Sequence, residues 1–392
     1  MINITDKKDC CGCGACVQIC PKRCISMSTD NEGFLYPQVN TEECINCGLC
    51  EKACPVINQN QPKDPLAVYA AKNKNEEIRQ KSSSGGIFTL LAEQVLFEGG
   101  VVFGAKFDEN WNVVHDYTET IEGLEVFRGS KYVQSTIGDC FIKAKQFLVA
   151  GRKVLFSGTP CQIAGLKKYL RKEYSNLLSV DIICHGVPSS MVWKKYLDEI
   201  KELRFSACSE SVKIEDINFR DKTKGWNNYL CSYYMMNNNK AGILSYNHLN
   251  DPYMRLFLTN HSLRPSCYCC PGKAGKSGSD ITIGDCWGIG RISKTLNDDK
   301  GVGVCVMHNN NDILDTIISS SQHLILSMDY LAKYNKSYYY SSLMPYERKK
   351  FFETITSTNS VIFAAKQFAP AKGFITRFVE RMTRFVKRHL NH

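Results

Sequence analysis

No stretch of the 392-residue chain approaches the ~20 consecutive apolar residues that cross a bilayer. Its opening, MINITDKKDCC, lacks the apolar core of a secretory signal, and the expectation is a cytoplasmic protein. No G-x-G-x-x-G follows a strand-like segment and no G-x-x-x-x-G-K-[ST] occurs, so a Rossmann dinucleotide unit and a P-loop are both without support. What is abundant instead is cysteine, with twenty residues. In a chain without an export signal these imply reduced thiols and metal ligation, not disulfides. At this length one ordinary core is too small, and two or three domains are expected.

Half of the chemistry is concentrated between Cys10 and Cys54. Cys10, Cys13 and Cys16 are followed by Cys20-Pro21, and 34 residues on Cys44, Cys47 and Cys50 are followed by Cys54-Pro55. This is the C-x2-C-x2-C-x3-C-P run of a two-cluster ferredoxin, written twice. Three thiolates on a tight loop reach three corners of one 4Fe-4S cube, and the fourth cysteine serves the other cube. The expected ligand sets are therefore Cys10, Cys13, Cys16 and Cys54 for one cluster, and Cys44, Cys47, Cys50 and Cys20 for the other. A pair of zinc knuckles would leave the doubled cysteine-proline unexplained. Each oxidised cube with its four thiolates brings roughly −2, which offsets much of the formal charge of +10. The net charge then gives no reason to expect a nucleic-acid partner. Cys11 and Cys24 fall outside the ligand spacing and are expected to pack as small apolar side chains.

Along the chain, residues 1–57 form the two-cluster domain, with a hairpin over 25–40 around Asp30-Asn31-Glu32-Gly33. Residues 58–66, which open with the polar run NQNQPKDP, read as a linker. Residues 67–345 alternate apolar strands and helices: AVYAAKN, then SSSGGIFTLLAEQVLF with Ser84 as N-cap, VVFGAKF, KVLFSGTP, CQIAGLKKYL, LLSVDIICHG and SMVWKKYLDEIKEL. That order predicts an α/β domain with a mostly parallel sheet (sub-parts 67–150 and 151–345), with antiparallel additions from the period-two stretch 211–247. Residues 346–392 read as a helical basic tail. In 373–390 Ile375, Phe378, Val379, Met382, Phe385 and Val386 share one face and five basic residues the other. Such a helix either rests on an anionic membrane surface or caps its own domain.

Further cysteines occupy the α/β part. Cys161 follows VLFSGTP, Cys184 ends SVDIIC, Cys267, Cys269 and Cys270 crowd into RPSCYCCPGK, and Cys286 follows DITIGD. Ligands of open α/β sheets bind beyond the carboxyl ends of the strands, so a third cluster on Cys161, Cys184, Cys267 and Cys270 is expected, with Cys269 or Cys286 as substitutes for one ligand. Two small-residue junctions before helices, Ser82–Gly86 and Ser157–Pro160, are of the kind that cradles a diphosphate. GSKYVQS adds Lys131 and Gln134 as donors. His185, beside Cys184, is a candidate proton donor, with Asp285 a weaker one.

Taken together, the double cysteine run, SSSGGIFTLLA, KYVQSTIGD, VLFSGTPCQIAGLKKYL, VDIICHGVPS, FRDKTKGW, LRPSCYCCPGK and SDITIGDCWGI resemble the beta subunit family of coenzyme F420 hydrogenase/dehydrogenase, in particular its bacterial stand-alone members with a fused ferredoxin domain. The resemblance implies a flavoprotein in which FAD lies beside a 4Fe-4S cluster. Ser84, Gly85, Gly86, Lys131, Tyr132, Gln134, Gly158 and Thr159 would line the flavin, and Cys161, Cys184, Cys267 and Cys270 would hold the cluster. The expected function is an iron-sulfur flavoprotein oxidoreductase exchanging electrons with a redox partner protein or reduced ferredoxin. It would transfer hydride to or from a small molecule, either a deazaflavin coenzyme or a metabolite of a polysaccharide pathway, the association that the resemblance brings with it. The rival is an electron carrier with clusters but no substrate of its own.

Overall fold

A computed structural model describes residues 1–205, 211–309 and 313–371; the basic helix expected over 373–390 lies outside them. Among the described residues no helix is long and apolar enough to cross a membrane.

The first lobe is built on β1 (Ile25–Thr29) and β2 (Leu35–Val39), an antiparallel ribbon registered Ile25 to Val39. Short helices Ala15–Ile19 and Leu49–Lys52 each begin at a glycine in the left-handed region, Gly14 and Gly48. This is the small α+β unit that the cysteine spacing calls for.

The body adds β3 (Ala67–Asn73), β4 (Val101–Phe107), β5 (Val113–Thr118), β6 (Val154–Gly158), β7 (Leu177–Ile182), β8 (Lys213–Asp221), β9 (Leu230–Asn237), β10 (Lys240–Asn247), β11 (Ile281–Asp285), β12 (Gly303–Met307) and β13 (Ser321–Leu326). The large sheet has the order β13-β3-β12-β11-β7-β6-β4-β5. Its heart is parallel, β11 beside β7, β7 beside β6 and β6 beside β4, and antiparallel strands complete both flanks. The parallel strands are buried on both faces: Val154, Leu155 and Phe156 are fully enclosed, as are Leu178, Ser179 and Val180. That explains why they read as unbroken apolar runs instead of an alternation. The period-two stretch forms a separate antiparallel sheet, β10-β9-β8.

Helix 160–170 starts with Thr159 as N-cap, Pro160 in the first turn and a reciprocal capping box with Gln162. Cys161 therefore sits inside the first turn, one residue later than a helix opening on it would place it. Helix 87–97 is capped by Gly86 in the left-handed region, not by Ser84. Ser84 sits two residues too early to reach the first-turn amides, and its hydroxyl donates to the Val302 carbonyl at 2.8 Å.

The boundary at 346 also shifts. Helices Arg348–Thr358 and Val361–Phe368 bury Phe351, Phe352, Ile355, Val361 and Phe368 in the same core as Trp193, Tyr196 and Tyr253. Their apolar faces make them part of the body, and any tail begins after them.

Candidate functional site

Beyond the carboxyl ends of β6, β7 and β11 lies a cavity of about 620 Å³, within the usual range for small-molecule and cofactor sites. Its wall includes Ser82–Gly86, Ser130–Val133, Ser157–Thr159 and Cys184–Val187, closed by Arg220, Tyr229, Asp285 and Trp287. Two helices, 87–97 and 160–170, begin in this wall; the first turn of helix 87–97 has no side-chain cap, so its amides are available to an anion, whereas that of helix 160–170 is taken up by Pro160 and the Thr159–Gln162 capping box. The small residues are held together by their hydroxyls: Ser83 Oγ accepts from the Ser130 amide at 2.6 Å, and Ser157 Oγ donates to Phe103 O at 2.9 Å.

Of the residues expected at a flavin, Ser84, Gly85, Gly86, Lys131, Tyr132, Gly158 and Thr159 line the cavity together with His185; Gln134 is absent from its wall. The Gln134 side chain turns the other way, donating to Cys11 O at 3.2 Å and accepting from Arg264 at 3.1 Å.

Arg220 was not singled out as a site residue, although FRDKTKGW contains it. Its guanidinium forms a two-point ion pair with Asp285 at 2.9 and 3.0 Å, reaches Tyr132 Oη and Ser83 O, and lies 4.1 Å from the Tyr229 ring centre. Asp285 also accepts from Trp226 Nε1 at 3.0 Å, and Trp226 stacks on Trp287 at 5.1 Å and 6°. The result is a cation and a flat indole fixed against one wall. Two buried polar atoms of this wall, Arg220 Nε and His115 Nδ1, have no partner among the described residues. Unpaired buried polar groups are costly in an empty site and are what a bound group would satisfy.

Burial sets the charge of the imidazoles. The His115 pKa is pushed down to about 4, and that of His185 is also lowered, mainly by desolvation, so both rings are neutral near pH 7. His185 packs edge-on against Phe257 at 5.0 Å. Burial pushes the Lys131 ammonium down to about 7, and its Nζ donates to Arg128 O and Gly129 O.

Next to the cavity lie four half-buried thiols. Cys184, Cys267 and Cys270 sense one another's charge and that of Cys161. Desolvation first, and the neighbouring sulfurs next, push Cys184 up to about 12 and Cys270 up to about 11. The two substitutes stay apart: Cys269 is exposed, near Lys8 O, and Cys286 is buried in another core against Tyr330 Oη at 3.4 Å. In the ferredoxin lobe Cys16 and Cys54 both feel Cys10 and Cys50, whereas Cys20 lies against Cys24, 3.4 Å away, which also feels Cys44. Among the described residues no three Cys, His, Asp or Glu side chains converge on a single-ion site; ligands of one cube stand at separate corners. Cys11 does more than pack: it touches Cys13 and Cys161, bridging the two groups of thiols.

Residues 9–58 match the 4Fe-4S dicluster domain. Residues 68–140 match the N-terminal part, and residues 151–323 the C-terminal part, of the coenzyme F420 hydrogenase/dehydrogenase beta subunit. The curated proteins searched contain no match. Among solved structures, the xenon-derivatised F420-reducing [NiFe] hydrogenase complex from Methanosarcina barkeri has a chain that is 19% identical, with a TM-score of 0.46, covering 76% of this chain and 94% of its own. The two parts of one family, matched in order over more than half of the residues, show that this chain belongs to the coenzyme F420 hydrogenase/dehydrogenase beta subunit family and carries a 4Fe-4S dicluster domain at its N-terminus.

Proposed function

We propose that this iron-sulfur redox protein is a flavin-dependent oxidoreductase, with FAD in the 620 Å³ cavity and a third 4Fe-4S cluster on Cys161, Cys184, Cys267 and Cys270. The single observation that carries the reading is that Cys184 belongs to both places: its thiol joins the four-cysteine group, and its residue forms the cavity wall. A flavin exchanges single electrons on one side and a hydride on the other, which is the chemistry that joins iron-sulfur clusters to a two-electron substrate.

The residues present suit such a group. The first-turn amides of helix 87–97 and Lys131 offer donors to a diphosphate. Gly158 leaves the floor open, since a side chain there would meet Gln162 Oε1 at 3.2 Å and His115 Nε2 at 3.6 Å. Arg220, fixed by Asp285, holds positive charge at the wall, where it would stabilise a reduced, anionic ring. His185, a neutral imidazole in the cavity wall, is the side chain we expect to hold or pass a proton there. The four thiols resist ionisation without metal, and iron would supply the missing positive charge.

The electron donor we expect is a redox partner protein or reduced ferredoxin, reaching the lobe where Cys47 is exposed. The small-molecule partner is either a deazaflavin coenzyme, as the family's description suggests, or another hydride acceptor. Lys131→Glu should weaken FAD binding at least tenfold, read by fluorescence quenching on titration into flavin-stripped protein, with iron content unchanged. A Lys131→Glu protein that binds FAD like the wild type would contradict the placement. Wild-type protein that binds no flavin would favour the electron-carrier alternative.

A further inference from the structure

Arg264 is 0% exposed, and among the described residues no carboxylate forms an ion pair with it. The nearby acids are engaged elsewhere, Glu32 by Arg348 and Asp30 by Lys7. A guanidinium does not lose its proton at any ordinary pH, and a buried charge without a counter-charge costs several kcal/mol in general. Its contacts show what it faces. Nε donates to Cys10 O at 2.7 Å, Nη2 to Leu35 O at 2.8 Å and towards Cys10 Sγ at 3.5 Å, and Nη1 to Gln134 Oε1 at 3.1 Å. Tyr36 covers it, the ring centre 4.3 Å from Cζ. The packing is tight enough to require glycine beneath it: a Cβ on Gly12, which has φ +70°, would lie 2.9 Å from Arg264 Nη1 and 2.7 Å from Gln134 Nε2. The guanidinium is also felt at Cys161.

We propose that Arg264 is the counter-charge of the cluster bound by Cys10, Cys13, Cys16 and Cys54, and that it makes this the more easily reduced of the two ferredoxin sites. A cube with four thiolates carries roughly −2, and reduction adds one more negative charge. A fixed buried cation against a ligand sulfur favours the reduced form. Among the described residues the other site has no such partner. Its Cys50 sulfur accepts from the Ile2 amide at 3.2 Å, Cys47 is exposed, and the adjacent cations Lys22 and Arg23 lie in solvent, where they are screened. The difference directs electrons from the exposed site inward to the one against the body. Gln134, holding both Arg264 and Cys11 O, is the positioning residue. The inference rests on the crosswise ligand assignment, and it does not need the third cluster.

The test is a redox titration of the whole, anaerobically purified protein, followed by electron paramagnetic resonance. In Arg264→Gln, one of the two ferredoxin signals should need a more negative potential. Its reduced-to-oxidised ratio at fixed potential should fall at least tenfold, equivalent to ~59 mV for one electron. The other signal should stay in place, and Arg264→Lys should recover part of the shift. Full iron with both signals unmoved, or both moved equally, overturns the proposal. If Arg264→Gln fails to hold its iron, Gln134→Glu decides. It keeps the oxygen that accepts from Arg264 but adds a neutralising charge, so it must move the same signal in the same direction, and no movement overturns the proposal. Eight irons instead of twelve in the wild type would contradict the third cluster while leaving this test intact.

Discussion

Cysteine spacing carried the residue-scale reading, because a cube imposes its geometry on neighbours in sequence: the -x2-x2-x3- intervals can be read without knowing the fold. Gln134, Arg220 and Arg264 could not be read this way. Their roles come from partners 65 to 254 residues away, Asp285 for Arg220 and Cys10 for Arg264, and nothing local marks them. His115 was missed for the same reason, since its acceptor Ser157 O lies on the neighbouring part of the sheet. The His115 pKa is lowered to about 4 by burial. Between that value and the ordinary ~6.5, the unfolded chain binds the proton and the folded one does not, so this residue's share of stability is present above ~6.5 and is lost as the pH falls towards 4. Asp181, raised to about 6 by burial, acts in the opposite sense, so the effect must be isolated by difference. Denaturant titrations of wild type and His115→Gln should show wild type losing stability relative to the variant from pH 6.5 to 4. A constant difference would mean that His115 is protonated in the native state.

At the scale of elements, most strands and helices were legible, because the buried parallel strands are apolar throughout and the helices keep their 3.6 period. The helix starts were less so. Ser84 has the composition of an N-cap but gives its hydroxyl to Val302 O, while Gly86 takes the left-handed position that starts the helix. Helix 160–170 shows how the elements join the two lobes. An added Cβ on Gly165 would sit 2.8 Å from Cys13 Sγ and 2.9 Å from its Cβ, so this helix bears directly on a ferredoxin ligand. Gly165→Val is expected to cost about 1–3 kcal/mol through overpacking and to lower iron content below that of wild type. Unchanged iron and unchanged stability would show that the lobe can retreat from the helix without consequence.

For the whole molecule, the sequence divided the chain near residue 58 but did not show how firmly the lobes are joined. The ferredoxin hairpin tip is held by the body: Arg348 pairs with both Glu32 oxygens at 2.9 and 2.6 Å, and Ser190 Oγ donates to Gly33 O at 2.8 Å. Removing one partner of a buried pair costs ~3–5 kcal/mol. Because Glu32 is partly exposed, Arg348→Ala is expected to cost on the order of 2 kcal/mol after allowing for screening. Faster proteolysis within residues 58–66 should accompany the loss, and a wild-type cleavage rate would argue that the pair contributes little to docking. The measurement closest to the central claim is iron, sulfide and acid-released flavin per chain, with the visible spectrum, on protein purified without oxygen. About twelve irons and one FAD are expected from two ferredoxin clusters, a third beside the cavity, and a flavin within it. About eight irons and no flavin would contradict the account and leave a ferredoxin joined to a body that performs no hydride chemistry of its own.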